Sequence, residues 1–289
     1  MRGPGYGALL DAVRGVRWPA RWPVGGALPG AHHSRQRGAS SEFAEYRLYR
    51  QGDDPRRIDW RLLARSDRAY LRLATDRALL ATTLVLDATA SMAFPAPQHD
   101  KWRLAREVAI GLAAVAHAQG DPVGLVVPLT AAEARALPPR TRRGVVGEIA
   151  QALDAVEPGG TVPLAPACLR VGTRRVVVLT DLLGDAEALL DAARALMARD
   201  VEVHLVHVVA QDELTPGGAT ILATDPEDER VSRPLAGATI GGYQRAFAAW
   251  REEMAHTWRA AGAGYVLAAT SQAPARVVRR VVDPRSGAA

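Results

Sequence analysis

Short apolar runs alternate along the chain with longer segments whose apolar positions recur every three or four residues. The short runs are rich in Val and Leu, as in R-V-V-V-L-T-D, and fit strands that are buried on both faces of a sheet. The longer segments fit amphipathic helices, and Lys101–Gln119 carries Leu104, Val108 and Leu112 on one side. This alternation predicts an α/β fold with a doubly wound, mostly parallel sheet and helices on both faces.

The predicted elements follow one another in a regular order after residue 80. Strands are expected at Thr83–Leu86, Val123–Leu129, Arg175–Asp181, Val201–Val209 and Tyr265–Ala268, with an edge strand within Ala131–Pro139. Helices are expected at Lys101–Gln119, Thr141–Val156, Ala186–Arg199, Tyr243–Ala261 and Pro274–Val282, with a short one at Pro163–Val171. The segment Gln211–Thr239 is loop-rich and is expected to form an irregular connection.

Several local interpretations accompany this assignment. Thr141 is expected to cap the helix that follows it, and Gly124 is expected to let a helix pack closely on its strand. His204 and His207 are three residues apart on a predicted strand, so their side chains face opposite sides. We therefore expect satisfied buried or edge histidines rather than a metal-binding pair.

Composition and charge narrow the class of protein. The chain has 289 residues, 48% of them hydrophobic, and its net charge of +5 comes from 36 basic and 31 acidic residues. The single Cys168 excludes an internal disulfide and is expected to be a small buried residue. Because neither a long apolar run nor a signal-peptide pattern is present, we expect a soluble cytoplasmic protein without a membrane span.

The first part of the chain, residues 1–31, is rich in Gly, Pro, Arg and Trp and is expected to form an N-terminal arm. Trp18 and Trp22 flank Pro19 and are expected to anchor this arm to the body of the protein. Attachment of the same side chains to a membrane surface is the alternative.

The candidate chemistry lies in the stretch T-T-L-V-L-D-A-T-A-S-M. The predicted strand Thr83–Leu86 delivers Asp87 to its carboxyl end, where folds of this class place their ligands. Thr89 and Ser91 follow at alternate positions. One carboxylate and two hydroxyls on a tight turn form an all-oxygen cluster that suits a hard divalent cation such as Mg²⁺ or Mn²⁺.

This stretch resembles the metal-ion-dependent adhesion site of von Willebrand factor A domains, which reads D-x-S-x-S and is completed by a distant Thr and a distant Asp. The resemblance implies that Thr161, on the Gly-rich loop E-P-G-G-T, and Asp181, at the end of R-V-V-V-L-T-D, complete the site. It also implies a von Willebrand A-like fold with Mg²⁺, Mn²⁺ or Ca²⁺ as cofactor. The chain departs from the pattern at Thr89, where Ser is usual, and at Ala90, where Gly is frequent.

In the related domains the equivalents of Thr89, Ser91 and sometimes Thr161 supply hydroxyl ligands, and those of Asp87 and Asp181 often act through bound waters. An acidic residue of another protein can complete the shell, so the resemblance implies adhesion rather than hydrolysis. The alternative is that all five residues are caps and turn residues.

Residues 32–78 form a charged block in which basic and acidic residues alternate with aromatic ones. The segment Asp53–Pro55 is a turn signal, Ile58–Arg65 reads as a helix and Tyr70–Leu73 as a strand. Nucleic-acid binding is one interpretation, but the acidic residues offset most of the positive charge, and a surface that tracks phosphates should carry one sign. Ion-paired structure is the favoured interpretation.

The block resembles a bacterial family known as domain of unknown function 58, whose members carry it just ahead of a von Willebrand A-like domain. The strings are S-x-E-F-x-x-Y-R-x-Y and G-D-D-x-R-x-I-D-W-x-x-x-A-R, followed by the D-x-T-x-S strand. The signature residues within these strings are Glu42, Phe43, Tyr46, Arg47, Tyr49, Gly52, Asp53, Asp54, Arg57, Ile58, Asp59, Trp60, Ala64 and Arg65. Longer relatives carry membrane helices before the block, and this chain resembles the short soluble form.

We therefore expect an N-terminal arm at 1–31, the signature block at 32–78 and, as the resemblance implies, a von Willebrand A-like domain at 79–289. The resemblance also implies a non-enzymatic adaptor that works with a MoxR-type AAA+ ATPase and an acidic client protein, without nucleic acid. The block would then either pin the N-terminal segment to the domain or form a partner surface.

An enzyme is the main alternative, because Asp at a strand end can accept a phosphoryl group. Phosphatases of the haloacid dehalogenase type show D-x-D-x-T, and Thr89 replaces the second Asp here. The chain also contains no G-x-x-x-x-G-K-[ST], no G-x-S-x-G and no Cys/His metal set. A catalytic role is therefore disfavoured, as is nucleic-acid binding through the Arg-rich block.

Overall fold

The structure of the protein, a computed structural model, contains a central six-stranded sheet with helices on both faces. It describes residues 5–21, 29–51, 53, 55–217, 221–224, 232–235 and 237–283; for 29–45, 57, 72–78, 221–224, 232–235 and 237–238 it describes the backbone alone. The strands are β1 (Pro29–Leu48), β2 (Tyr70–Ala78), β3 (Thr82–Leu86), β4 (Val123–Pro128), β5 (Ala134–Arg140), β6 (Arg175–Thr180), β7 (Glu202–Val209), β8 (Ile221–Thr224), β9 (Ser232–Leu235) and β10 (Gly264–Ala269). The helices are α1 (Gly7–Ala12), α2 (Trp60–Ser66), α3 (Asp100–Ala118), α4 (Val145–Asp154), α5 (Ala165–Leu169), α6 (Ala186–Met197), α7 (Gln211–Leu214), α8 (Gly237–Ala260) and α9 (Pro274–Val282), with 3₁₀ turns at Pro55–Arg57 and Ala90–Ala93.

The central sheet has the strand order β10-β7-β6-β3-β4-β5. All neighbouring pairs are parallel except β4 and β5, which are antiparallel, so β5 is a reversed edge strand. The order reverses beside β3, the first strand of the sheet, as in doubly wound nucleotide-binding folds. The predicted fold class, a doubly wound and mostly parallel α/β sheet with helices on both faces, is confirmed.

The apolar strand residues divide between the two faces because successive side chains point to opposite sides. In β3, Leu84 and Leu86 join the core beneath α3, α4 and α9, whereas Val85 joins the core beneath α5, α6 and α8. Every residue of β3, β6 and β7 is buried. This is why these strands read as continuous apolar runs rather than as alternating ones.

Three local predictions are wrong. Helix α4 begins at Val145 and not after Thr141, because Gly144, with a φ of +91°, turns the chain directly before the helix. Gly124 does not admit a helix; a Cβ atom there would lie 2.6 Å from the carbonyl oxygen of Leu137 on β5. The segment Gln211–Thr239 is more regular than expected, since it contains α7, the antiparallel pair β8–β9 and the start of α8.

The chain divides into two compact units, one formed by Met1–Pro19 with Ala81–Ala289 and the other by Ala20–Leu80. These divisions fall at other points than the predicted boundaries of 1–31, 32–78 and 79–289, which remain predictions. The second unit is built on the antiparallel pair β1–β2, with α2 between the two strands in sequence.

Residues 5–19 pack within the large unit, and the side chain of Trp18 among them is buried. The guanidinium carbon of Arg175 lies 4.1 Å from the centre of the Trp18 ring. Arg175 also donates a hydrogen bond to the carbonyl of Pro19 (3.0 Å) and pairs with Glu202 (3.3 Å). Anchoring by Trp18 is therefore confirmed, whereas Trp22 lies outside the described residues.

No helix in the described part of the chain combines the length and the apolar character that crossing a lipid bilayer requires.

Candidate metal centre

The candidate site lies where β3 and β6 end. The two strands are parallel neighbours, with Leu86 opposite Leu179, so the loops that follow them leave the same edge of the sheet. Asp87 directly follows the last residue of β3, and Asp181 directly follows the last residue of β6. Both side chains are buried. The topology therefore brings together two carboxylates that are far apart in sequence.

Asp87 is held by hydrogen bonds from neutral donors. Its Oδ1 accepts the backbone N–H of Thr89 (2.9 Å) and the Thr89 hydroxyl (2.7 Å). Its Oδ2 accepts the hydroxyl of Thr180 (2.6 Å). Burial raises the pKa of Asp87, and the nearby Asp181 raises it further, so the hydrogen bonds only partly offset the cost of an ionised carboxylate here.

The two hydroxyls of the turn lie beside this carboxylate. Thr89 Oγ1 and Ser91 Oγ are 3.1 Å apart, and both side chains are buried. Because Thr89 gives its hydroxyl hydrogen to Asp87, Ser91 must be the donor between the two hydroxyls. One lone pair of the Thr89 hydroxyl is then available to a cation.

The loop that carries Thr161 is hydrogen-bonded to the turn that carries Thr89 and Ser91. The N–H of Gly159 donates to the carbonyl of Ala88 (2.7 Å), and the carbonyl of Gly160 accepts from the N–H of Ala90 (2.9 Å). Gly160 has a φ of +77°, which favours glycine at this position. Thr161 follows directly, and its side chain is exposed.

Asp181 is paired with a buried lysine that the sequence interpretation did not include. Lys101 Nζ lies 2.9 Å from Asp181 Oδ2 and 2.6 Å from Glu213 Oε1. Burial lowers the pKa of Lys101, but the two carboxylates outweigh burial and the net effect is a raised pKa, so the ammonium is charged. No sequence motif marks this lysine, which comes from the first turn of α3.

The turn after β6 is unusual in its backbone. Leu182 has a φ of +60°, a left-handed conformation that is costly for a residue with a branched side chain. Two hydrogen bonds hold this turn: the N–H of Leu182 donates to the Thr180 hydroxyl (3.1 Å) and that of Leu183 donates to Asp181 Oδ1 (3.2 Å). The turn fixes Asp181 and directs Leu183 outward, where its side chain is 46% exposed.

The residues present fit a hard divalent cation. In the described residues no group of three or more His, Cys, Asp or Glu side chains is arranged to hold a metal, so hydroxyl oxygens would have to take part. Thr89 and Ser91 supply such oxygens beside Asp87, which suits Mg²⁺, Mn²⁺ or Ca²⁺. With Asp87, Asp181, Glu213 and Lys101 all ionised, the local charge is −2 (one minus three), which a divalent cation would balance.

The same geometry bears on a phosphoryl-transfer mechanism. Both oxygens of Asp87 accept hydrogen bonds, from Thr89 and from Thr180, and these bonds stabilise the carboxylate and so lower its nucleophilicity. Thr89 also stands where a second acidic residue would act as acid and base.

The two strand histidines lie in separate environments, as expected. His204 Nε2 is 2.6 Å from Glu202 Oε1, and His207 Nδ1 is 2.6 Å from the hydroxyl of Tyr265. Both side chains are buried, and burial lowers the pKa of His207 to about 4. The expectation that the two do not form a facing pair is confirmed, but His207 is only partly satisfied, since its Nε2 has no hydrogen-bond partner among the described residues.

Acidic residues of the signature block make local contacts. Asp53 pairs with Arg47 (2.7 Å) and accepts the N–H of Arg50 (2.8 Å), and these hydrogen bonds hold the pKa of Asp53 below its usual range. Asp59 caps α2 by accepting the N–H groups of Arg61 and Leu62, both at 3.0 Å. These contacts give Arg47, Asp53 and Asp59 a structural role within their unit.

The other positions of the block differ in what the structure describes. Tyr49 donates its N–H to the carbonyl of Ala69 (2.8 Å), and Tyr46 donates its hydroxyl to Asp59 (2.9 Å). Trp60 is 61% exposed and Arg65 is also exposed, both on α2. Backbone alone is described for Glu42, Phe43 and Arg57, while Gly52 and Asp54 lie outside the described residues.

Part of the chain is similar to solved structures of proteins from two Bacteroides species. The protein BatB of Bacteroides thetaiotaomicron is 17% identical, the match covering 70% of this chain and 97% of that chain, with a TM-score of 0.42. An aerotolerance-related membrane protein of Bacteroides fragilis is 16% identical, the match covering 70% of this chain and 98% of that chain, with a TM-score of 0.44.

Sequence relatives extend over nearly the whole chain. An uncharacterized protein of Mycobacterium tuberculosis, Rv1480, is 29% identical over 302 residues, which covers 97% of this chain and 91% of the relative. The model of the family described as "Protein of unknown function DUF58" matches residues 45–239, which include most of the signature block and the candidate metal centre. The chain therefore belongs to the DUF58 family.

Proposed function

We propose that this chain is a non-enzymatic protein-binding module whose contact with its partner is completed by a divalent cation. Thr89 and Ser91 would hold the cation through their hydroxyls, with Asp87 and Asp181 close by and Thr161 on the adjoining loop. Mg²⁺ is the first candidate, and Mn²⁺ or Ca²⁺ the alternatives. When bound, the cation supplies a positive centre that an acidic side chain of the partner can approach.

The observation that carries this proposal is the exposed apolar surface on the two loops of the site. Phe94 follows the turn of Thr89 and Ser91 and is 38% exposed, and Leu183 follows Asp181 and is 46% exposed. Exposed apolar side chains that form a contiguous patch mark sites where another molecule binds, and in this proposal the two side chains contribute to one such patch. Here they adjoin a buried polar cluster, a combination that fits an interface with a charged centre and apolar surroundings.

Family membership supports the finer part of the proposal. The resemblance described above implies a MoxR-type AAA+ ATPase as a partner and an acidic client protein. Because the sequence contains no phosphate-binding loop of the G-x-x-x-x-G-K-[ST] type, the ATPase would hydrolyse the nucleotide and this chain would act as its adaptor in the cytoplasm.

The proposal is tested first by thermal unfolding with and without millimolar Mg²⁺ or Mn²⁺. A cation that binds only the folded protein raises its stability, by about 2.7 kcal/mol when its concentration is a hundred times the dissociation constant. We expect this rise in the wild type and its loss in Asp87→Ala. Asp191→Ala removes an exposed carboxylate of α6 and should respond as the wild type does.

A wild type that shows no metal response would overturn the metal-dependent mechanism. If the metal response is present, binding to a purified MoxR-type ATPase and to an acidic peptide is measured next. The double variant Phe94→Ser/Leu183→Ser should then bind these partners at least about tenfold more weakly, since interface cores lose this much when an apolar anchor is removed. Unchanged binding by this variant would place the partner surface elsewhere.

A further inference from the structure

We propose that Lys101 is a positioning residue that withholds Asp181 from the cation, so that the bound cation keeps enough positive charge to attract an acidic partner. The inference rests on the proposed function, because it concerns the same metal centre. It adds a role for a side chain outside the set of metal-binding residues implied by the adhesion-site pattern.

The ammonium of Lys101 is surrounded by two carboxylates and one aromatic ring. Asp181 Oδ2 is at 2.9 Å, Glu213 Oε1 is at 2.6 Å, and the centre of the Phe94 ring is at 5.6 Å. The side chains of Lys101 and Asp181 are 1% and 2% exposed. An ion pair so fully removed from water is held firmly, because either charge would be costly to leave without its partner.

Glu213 is itself fixed to the backbone. Its Oε2 accepts the N–H of Ala210 (2.7 Å), the residue that precedes α7. One carboxylate oxygen thus binds the start of a helix while the other binds the ammonium. This anchor opposes movement of Lys101 away from Asp181, so the pair is a built part of the site.

Both carboxylate oxygens of Asp181 have partners within the protein. Oδ2 meets the ammonium and Oδ1 accepts the N–H of Leu183 (3.2 Å). A cation beside Asp87 would then draw on the neutral hydroxyls of Thr89 and Ser91 and retain more of its water. Few direct carboxylate ligands leave the cation underneutralised, which strengthens its attraction for a carboxylate of a partner.

A double variant can test the positioning role of Lys101 without changing the net charge of the site. Asp181, Glu213 and Lys101 sum to −1 (one minus two) when ionised. The double variant Lys101→Met/Glu213→Gln leaves Asp181 alone and also sums to −1. It therefore removes the ammonium without changing the charge of the trio, and it keeps side chains of similar size.

The experiment measures Mn²⁺ binding and the relaxation of water protons by bound Mn²⁺, which reports how many waters remain on the ion. The wild type, Lys101→Met/Glu213→Gln and the control Glu213→Gln are compared after circular dichroism and thermal melts have verified folding. We expect the double variant to bind Mn²⁺ about tenfold more tightly, because a direct carboxylate ligand is added. Its bound Mn²⁺ should also relax water less than in the wild type.

Glu213→Gln retains the Lys101–Asp181 pair and should keep the water relaxation of the wild type. A folded double variant with the affinity and relaxation of the wild type would overturn the inference while leaving the proposed function intact. Mn²⁺ binding by the double variant alone would support the withholding of Asp181 but overturn metal dependence in the native protein. Absence of Mn²⁺ binding from all three proteins would overturn both.

Discussion

The two carboxylates of the candidate site, Asp87 and Asp181, are of the same residue type but have different partners. Asp87 accepts hydrogen bonds from Thr89 and Thr180, whereas Asp181 pairs with the ammonium of Lys101. Both are buried Asp residues that follow parallel strands of one sheet. Their difference arises from a helix and a short segment that lie far away in sequence.

Cys168 and His207 show how burial shifts the pKa of a side chain in opposite directions. Burial raises the pKa of the Cys168 thiol to about 12, so the expected small buried residue is confirmed. For a histidine, burial acts in the opposite direction, because its charged form is the protonated one.

His207 is the residue through which we expect acid to destabilise the fold. Its pKa is about 4 in the folded protein, against about 6.5 in an unfolded chain. Between these values the unfolded chain binds a proton that the folded protein excludes, so the free energy of unfolding falls as the pH drops. The loss should reach about 3 kcal/mol for the full interval.

The measurement is denaturant unfolding in the absence of metal between about pH 7 and pH 4.5, a range chosen to span most of this interval. The variant His207→Gln lacks the titrating group but retains the contributions of all other ionisable residues. The wild type should lose about 2 kcal/mol more than the variant over the range. Equal losses would show that His207 does not exclude a proton on folding.

At the scale of elements, the reversed strand β5 completes the sheet on the side of β4. It carries Pro138 and Pro139, which lack N–H donors and so limit pairing with a further strand. Its close approach to β4 depends on Gly124, where the registered pairing is interrupted between Val123 and Leu125.

We expect Gly124→Ala to lower the free energy of unfolding by about 1–3 kcal/mol. The added Cβ atom would lie 2.6 Å from the Leu137 carbonyl oxygen and 2.7 Å from the Pro139 nitrogen, and both are backbone atoms that cannot turn aside. Gly147→Ala is the matched control, because nothing lies within 4 Å of the added atom in α4. It should raise the stability by up to about 1 kcal/mol through helix propensity.

Chemical denaturation of the two glycine variants provides the comparison. A Gly124→Ala protein as stable as the wild type would mean that β5 moves away from β4 at little cost. The pairing at the edge would then contribute little to the central sheet.

At the scale of the whole molecule, the carboxyl ends and the amino ends of the parallel strands have different roles. The candidate metal centre occupies the carboxyl ends of β3 and β6. Arg175 and Glu202 begin β6 and β7 at the opposite end, where Arg175 packs on Trp18 and pairs with Glu202. The N-terminal anchor is thus separated from the candidate site by the length of the strands.

Removal of the Trp18 side chain should destabilise the large unit without changing metal binding. Trp18→Ala removes a side chain that is 1% exposed and packs on Arg175, and we expect a loss of about 3–5 kcal/mol. Trp60→Ala, at a side chain 61% exposed, should change the stability by no more than about 0.5 kcal/mol. Thermal unfolding and Mn²⁺ titration of both variants test this, and a Trp18→Ala protein of normal stability would contradict the anchoring role.

The order and type of the main elements follow from the sequence, because burial on two faces demands continuous apolar strands and burial on one face demands a helical repeat. Thr82–Leu86, Glu202–Val209 and Pro274–Val282 were therefore predictable to within one residue at either end. The start of α4 was not, since the φ of +91° at Gly144 competes with the capping signal of Thr141.

The candidate site is only partly contained in the local sequence. Asp87, Thr89 and Ser91 lie on one turn, so the nearest-neighbour geometry of that turn brings their oxygens together. The proximity of Asp181 and of the Thr161 loop follows from the pairing of β3 with β6 and from two backbone hydrogen bonds. The resemblance to a known pattern, rather than periodicity, was what predicted these two positions.

The partners of Asp181 were decided by tertiary structure alone. Lys101 lies 80 residues before Asp181, and Glu213 belongs to a segment predicted to be irregular. Local patterns record whether a side chain is buried on a helix or a strand, since burial repeats with the period of the element. They do not record which charged groups from distant segments meet, because that depends on how helices cross the sheet and where each buried charge finds its counter-ion.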